Sequence, residues 1–231
     1  MYILLDILNP TVWVADFEIR EPITTLTDFM TALTCGFSYY LLKSKKGIVK
    51  DPSFNFFRLY FLCFFIAMTC AAFLGHAFQA YLPKEVKIIG WCMSAMGQFF
   101  LALGTMMFMK KSIKPFLFKL FFSLLILQFL IFIFLMIHPM YSDFKIAQLA
   151  ASSLLIGFIL PLFIIQFIKT KSQGSKLILF AIIYALVPAF VFNNQLSISN
   201  WFNYHDISHV LMSIYMILMY KGIKKLEFKI A

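Results

Sequence analysis

Along this chain apolar residues run on for roughly 20 positions at a time, enough for a helix to cross a hydrocarbon core of about 30 Å. Each run then stops at polar or lysine-rich residues. Seven such runs are legible, over 22–42, 56–82, 88–109, 116–137, 146–168, 177–192 and 204–220. Each reads as a helix, because a helix satisfies all its own backbone hydrogen bonds within lipid. The expected fold class is therefore all-α, a seven-transmembrane helix bundle over residues 22–220. An interfacial segment, 1–21, precedes it, and a cytoplasmic basic tail, 221–231, follows. Residues 1–20 read as an amphipathic or irregular cap on the membrane surface, with Trp13 and Phe17 at the interface. They lack the basic start and small-residue cleavage site of a secretory signal. Pro161 and Pro188 fall inside the fifth and sixth runs, where kinks are tolerable. Gly90, Gly97 and Gly104 recur every seven residues in the third run and predict a smooth stripe for close helix packing.

Composition agrees with the pattern. The chain is 62% hydrophobic with 30 Phe, only 13% charged, and has a mean hydropathy of +0.87. Such a balance excludes a soluble globular domain and marks an integral membrane protein. A net charge of +10 would suggest nucleic acid in a soluble protein. Here the lysines lie between the apolar runs, so the lipid bilayer is the partner they imply and nucleic acid is not. Lys43, Lys45, Lys46 and Lys50 follow the first run, with Arg58 just inside the second. Lys110, Lys111 and Lys114 follow the third, Lys169, Lys171 and Lys176 the fifth, and Lys221, Lys224 and Lys225 the seventh. The alternate loops carry only Lys84 and Lys87 beside Glu85, then Lys145 beside Asp143. Ahead of the first run, Asp6, Asp16, Glu18 and Glu21 outnumber Arg20. Positive-inside reasoning puts the N-terminus outside and the C-terminus in the cytoplasm, which needs an odd number of spans. Cys35, Cys63, Cys70 and Cys92 lie in apolar runs without paired spacing and read as free thiols. Arg20 and Arg58 are the sole arginines against many lysines, a bias that points to an AT-rich microbial genome and a bacterial inner membrane.

Against this apolar background a few titratable residues stand out, and ionisable groups within a membrane are functional-site candidates by default. His205 and His209 are four apart at the start of the seventh run, on one face of a helix. With the orientation above, His76 lies ~9 Å below the outer end of the second run at 1.5 Å per residue, and Asp28 ~9 Å into the first. His209 falls roughly 6–8 Å deep on the same count, so all four groups share one outer slab. Neutral imidazole is the commonest metal ligand, and three histidines with an open position make a familiar zinc arrangement. His76, His205 and His209 are thus candidate zinc ligands, with Asp28, Asp206 and Glu21 as candidate catalytic acids or bases. Glu21 stands seven residues before Asp28 and, if helical, nearly on the same face. Thr24, Thr25 and Ser208 can hydrogen-bond around them, and Trp201, Phe202 and Asn203 precede the histidine pair as candidate entrance residues. Each has a plainer reading. His76 can simply bond a neighbouring helix, Asp28 can pair with a histidine, and Asp206 in a first helical turn can serve the helix dipole. His138, beside Pro139 in an outer loop, reads as solvated.

A histidine late in the second span and a His-x-x-x-His in the seventh together resemble the superfamily of alkaline ceramidases and progestin and adiponectin receptors. The matching residues are His76, His205 and His209. The N-outside orientation looks like the ceramidase branch. The resemblance implies a zinc site formed by those three histidines and zinc-dependent hydrolysis of an amide in a ceramide-like lipid. The family's serine four residues before the first histidine is Ala72 here, and the segment after His76 offers only Glu85 where an aspartate is expected. Asp28 is the residue that can take over the acidic role from another helix. Two other functions fit the same residues: a metal-containing receptor or sensor without turnover, and a proton-coupled transporter using Asp28 and the histidines as a relay. The inner halves of the runs offer no acidic residue or histidine to continue such a relay.

Overall fold

A computed structural model describes residues 10–43, 51–138 and 140–228. Asp6, Lys45, Lys46, Lys50, the Lys43 side chain and residues 229–231 of the basic tail lie outside the described residues.

The described residues open with a β-hairpin, β1 (Thr11–Val14) and β2 (Phe17–Arg20), paired antiparallel with Val12 opposite Ile19 and Trp13 opposite Glu18. Over residues 11–20 this replaces the expected irregular or amphipathic cap, and residues 1–9 of that segment lie outside the described residues. β-Branched and aromatic residues favour strands, and the tight Ala15-Asp16 turn is made with Ala15 in the left-handed region at φ 53°. Trp13 and Phe17 are both 64% exposed.

Helical elements make up most of the rest. They are α1 (Pro22–Lys43), α2 (Pro52–Ala77), α3 (Lys87–Phe108), α4 (Pro115–Ile137), α5 (Phe144–Thr170), α6 (Gln173–Asn193) and α7 (Tyr204–Lys224). Their starts follow local chemistry. Asp51 caps α2 by accepting from the Ser53 N–H at 3.0 Å, with Pro52 in the first turn. Asp143 caps α5 in the same way through the Lys145 N–H, and Ser172 caps α6. The last stretch of α2, Ala71–Ala77, is a π-helix, and another π-turn, Leu155–Ile159, interrupts α5 just before Pro161. In α6 the regular path breaks at Ala185, because Pro188 has no N–H for the carbonyl one turn back. The second run ends as helix at Ala77 rather than at residue 82.

Five of these helices, α2 to α6, are long and apolar enough to cross a membrane. The protein is in that respect an all-α membrane bundle. α1 and α7 have 22 and 21 residues, comparable with α3 and α6, but are less apolar. α2 is central, packed on α1 and α3, while α7 packs on α1 and α6. The core is built by Phe54, Phe57, Tyr60 and Phe61 of α2, Leu101 and Met106 of α3, and Met216 and Met219 of α7. α4 buries only Leu125 and Met136 and presents Phe116, Leu130 and Phe134 outward, the pattern of a helix facing lipid. The glycine stripe of α3 faces α2: a Cβ on Gly97 would come within 2.7 Å of the Phe64 ring, and one on Gly104 within 3.1 Å of Phe57.

The two ends of the bundle differ. At one, Phe228 packs its ring on Phe54 and Phe108 at centroid separations of 5.1 and 5.5 Å, beside the lysine-bearing loops. At the other, the hairpin, the start of α1, the π-turn of α2 and the start of α7 meet.

Candidate functional site

His76 sits in the π-helical turn Ala71–Ala77. A π-turn widens the helix by one residue per turn and so re-aims side chains, which is why such turns recur at functional sites. His205 and His209 lie one turn apart in α7, whose start is fixed by a reciprocal cap. The Asn203 side chain accepts from the His205 N–H at 2.8 Å, and Asp206 Oδ2 accepts from the Asn203 N–H at 2.7 Å. The three imidazoles form a triangle, with ring centroids 6.0 Å apart for His76–His205, 6.3 Å for His76–His209 and 6.3 Å for His205–His209.

Three carboxylates surround them. Asp28, one-third along α1, is fully buried, with Oδ1 3.2 Å from His209 Nδ1 and Oδ2 3.5 Å from His76 Nε2. Both oxygens lie within ion-pair distance, yet neither accepts a hydrogen bond of good angle among the described residues. Glu21 meets His76 Nδ1 through its Oε2. Burial by itself would raise the Glu21 carboxyl; its hydrogen bond to His76 and the charge of that ring outweigh burial and hold it below its ordinary range. Asp206 is fully buried, with Oδ2 committed to the cap and Oδ1 without a hydrogen bond.

Glu21 arrives by a route that helical periodicity does not describe. It lies outside the helix, since α1 begins at Pro22, and its backbone is left-handed at φ 47°. Its N–H donates to the Pro10 carbonyl at 2.8 Å, and its own carbonyl accepts from the Thr25 N–H at 2.9 Å. Glu21 and Asp28 therefore do not share a helical face, although the two carboxylates meet one imidazole.

The structure thus brings together Asp28, Glu21, His76, His205, His209 and Asp206. Other candidates fall elsewhere. Glu85 is exposed in a short 3-10 turn, and Ala72 is buried without a hydroxyl to offer. His138 stacks against Phe134 and Tyr141 and accepts from the Met140 N–H. Trp201 is half exposed, Ser208 Oγ turns to the Tyr204 and Pro188 carbonyls, and Asn203 serves as a cap. Three further residues join the site. Thr27 Oγ1 lies 3.4 Å from His209 Nδ1, Thr31 donates to the His209 carbonyl at 3.0 Å, and Ser213 Oγ is 2.9 Å from Thr31 Oγ1. Thr31 is four residues from Thr27, and Ser213 four from His209, so helical spacing carried that signal.

Whether these residues suit a divalent metal is a question of chemistry and spacing. Among the described residues, no three His, Cys, Asp or Glu side chains form a ready-made metal-binding group. Zinc–nitrogen bonds of about 2.0–2.1 Å in a tetrahedral set put imidazole centroids roughly 5 Å apart, about 1 Å closer than here. Side-chain rotation covers a difference of that size. The donor set itself fits: three imidazoles, and a buried Asp28 whose oxygens accept no hydrogen bond among the described residues and favour a nearby cation.

Compared with known protein families, residues 23–227 match the model of a family of unknown function, DUF6962. The chain belongs to that family. The match spans α1 to α7 and so takes in every site residue except Glu21. Family membership brings no activity with it, and no curated protein and no solved structure matches the chain. Function in this DUF6962 member has to be argued from its own residues.

Proposed function

We propose that this protein is an integral membrane zinc hydrolase acting on a lipid amide, ceramide-like, or on a lipid ester. In this reading all seven helices span, with the N-terminus outside, the C-terminus in the cytoplasm and the site near the outer face of a bacterial inner membrane. α1 and α7 are less apolar than the rest because their packed faces carry Thr24, Thr27, Asp28 and Thr31, and His205, Asp206, Ser208, His209 and Ser213. At 1.5 Å per residue each still covers about 30 Å, the thickness of the hydrocarbon core.

His76, His205 and His209 would hold the metal. A zinc ion bound there supplies a Lewis acid for a carbonyl and lets water act as a nucleophile near neutral pH. Asp28 is the residue placed to take and return a proton, since it is buried between two of the imidazoles and neither oxygen is committed elsewhere. Asp206 shapes the site by fixing the first turn of α7, which carries His205 and sets the course of the helix to His209 one turn on. Thr27 and Thr31 anchor His209 at its ring and its carbonyl. Phe192 and Tyr204 pack on the His205 ring at 5.2 and 4.3 Å and help to keep water out. The outward Phe and Leu side chains give acyl chains an apolar approach.

The observation that carries this reading is the clustering of three imidazoles from α2 and α7, two of them within ion-pair distance of the buried Asp28 carboxylate of α1. Metal analysis of the purified protein tests it. About one zinc per chain is expected, lost in His76→Ala and in His209→Ala, with fatty acid released from a ceramide in detergent only by the zinc-loaded protein. Metal-free wild type, together with three single His→Ala variants that melt like wild type, sinks the proposal. Zinc retained without turnover of any lipid would move the protein to the class of metal-containing receptors.

A further inference from the structure

The hairpin end of the chain meets the π-turn and the residues just after it at two points, and both bear on His76. Glu21, just after β2, sets its carboxylate against His76 Nδ1. Five residues past His76, the Tyr81 hydroxyl accepts from the Glu18 N–H at 2.7 Å, and the Phe17 and Tyr81 rings meet edge-on at 6.5 Å. Between these points Glu21 holds a left-handed backbone, φ 47°, which costs a non-glycine residue about 1 kcal/mol or more. The Glu21 N–H bond to the Pro10 carbonyl, which closes the base of the hairpin, keeps it there. A residue in that conformation points its side chain away from the course that α1 would impose.

We propose that Glu21 is a positioning residue. Held by the hairpin, its carboxylate accepts the Nδ1–H of His76, fixes the ring's tautomer and rotation, and leaves Nε2 as the basic nitrogen facing His205, His209 and Asp28. It does not exchange protons with substrate. This rests on the zinc reading only for what Nε2 binds. The orientation of His76 stands by itself on the contact, the strained backbone and the second clip at Tyr81. A carboxylate behind a ligating imidazole is the arrangement that raises ligand basicity and locks the ring.

The test uses full-length protein in detergent, with zinc as the ligand and selectively 15N-labelled histidine as the second readout. Glu21→Gly removes the carboxylate and is at ease at positive φ, so its effect is not one of backbone disruption. Expected is a 10–100-fold rise in zinc Kd by chelator competition, roughly the usual penalty for loss of such a partner. The His76 Nδ1–H signal should also be lost. Glu21→Gln keeps an acceptor oxygen and should hold zinc within about fivefold of wild type. Tyr81→Phe touches neither group; it should raise the Kd by about two- to fivefold through the hairpin alone. Unchanged zinc affinity and an unchanged His76 signal in Glu21→Gly overturn the assignment, and Tyr81→Phe identical to wild type overturns the part given to the hairpin. If wild type binds no zinc, the hydrolase reading fails, and the histidine signals decide this one alone. A wild-type His76 unprotonated at Nδ1 ends it; a protonated one that is lost in Glu21→Gly upholds it.

Discussion

A carboxylate buried without a hydrogen-bond donor bears a desolvation penalty of several kcal/mol, and Asp28 is fully buried with both oxygens in that state. Its stabilising partners are the imidazoles of His76 and His209 and, in the proposed enzyme, the cation they hold. Replacing the carboxylate by an amide should therefore act in opposite directions with and without metal. In chelator-treated protein Asp28→Asn removes an ill-compensated charge, and the melting temperature should rise by about 2–6 °C, the equivalent of one or two kcal/mol in a chain of this size. In zinc-loaded protein the same change removes a favourable charge, so zinc affinity should fall and the melting temperature should not rise. Thermal unfolding in EDTA and in excess zinc measures both signs. A fall under both conditions would make Asp28 a structural ion-pair partner only. Asp28, His76, His205 and His209 were legible in the sequence because lipid tolerates few ionisable groups, and counting residues from the outer ends put these at one depth. Glu21 joins the site without sharing a helical face with Asp28. Its place depends on a left-handed backbone ahead of α1, and helical periodicity carries no trace of that.

At the scale of elements the apolar runs gave each helix to within a few residues, because the length needed to cross the hydrocarbon is itself a physical constant of the bilayer. The hairpin was not legible. Its Ala15-Asp16 turn has none of the Asn-Gly or Asp-Gly chemistry that announces tight turns, and four-residue strands give little alternation to read. The π-turns were equally silent, since an extra residue within a helix leaves no compositional mark. The seven-residue glycine stripe in α3 was legible as a packing surface, whereas a closer approach at the other end of α7 was not. A Cβ on Gly174 would stand 2.7 Å from the backbone of Lys225 and Leu226, and one on Gly222 would stand 2.6 Å from Ile178 Cγ1 and 3.0 Å from its backbone nitrogen. The two glycines lie on different helices and share no spacing. Backbone atoms cannot rotate aside as a ring can, so Gly174→Ala has to push α6 and α7 apart. It should destabilise the protein by about 1–3 kcal/mol, in the range for overpacking a tight contact. Gly157→Ala, with nothing within 4 Å of the added carbon, serves as the control in the same thermal unfolding series and should differ from wild type by less than about 1 kcal/mol.

For the whole molecule, the separation of a basic end from a titratable one ties the chemistry to a side of the membrane. Lys110, Lys111 and Lys114 follow α3, Lys169, Lys171 and Lys176 flank the α5–α6 turn, and Lys221, Lys224 and Lys225 close α7. Gly174 abuts the backbone of Lys225 and Leu226, and Phe228 packs on Phe54 and Phe108, so these loops share one face of the bundle. The histidines and carboxylates occupy the other. Lysine near a cytoplasmic surface is favoured both by the insertion machinery's bias and by anionic lipid, at about 1 kcal/mol per residue for the latter. The proposed orientation therefore has a direct consequence for accessibility. Single cysteines introduced for Met140 or Ile198, which are 76% and 78% exposed beyond the apolar helices, should react in intact cells with a membrane-impermeant maleimide. Cysteines introduced for Lys110 or Lys224 should react only after permeabilisation. The native thiols give little background, Cys35 and Cys63 being buried and Cys70 and Cys92 half-buried within the helices. The reverse pattern would place the histidine cluster on the cytoplasmic side, and the lipid presented to it would then be one of the inner leaflet. Labelling at both Met140 and Lys224 from outside would mean an even number of crossings between them, and would remove either α7 or one of α5 and α6 from the set of spanning helices.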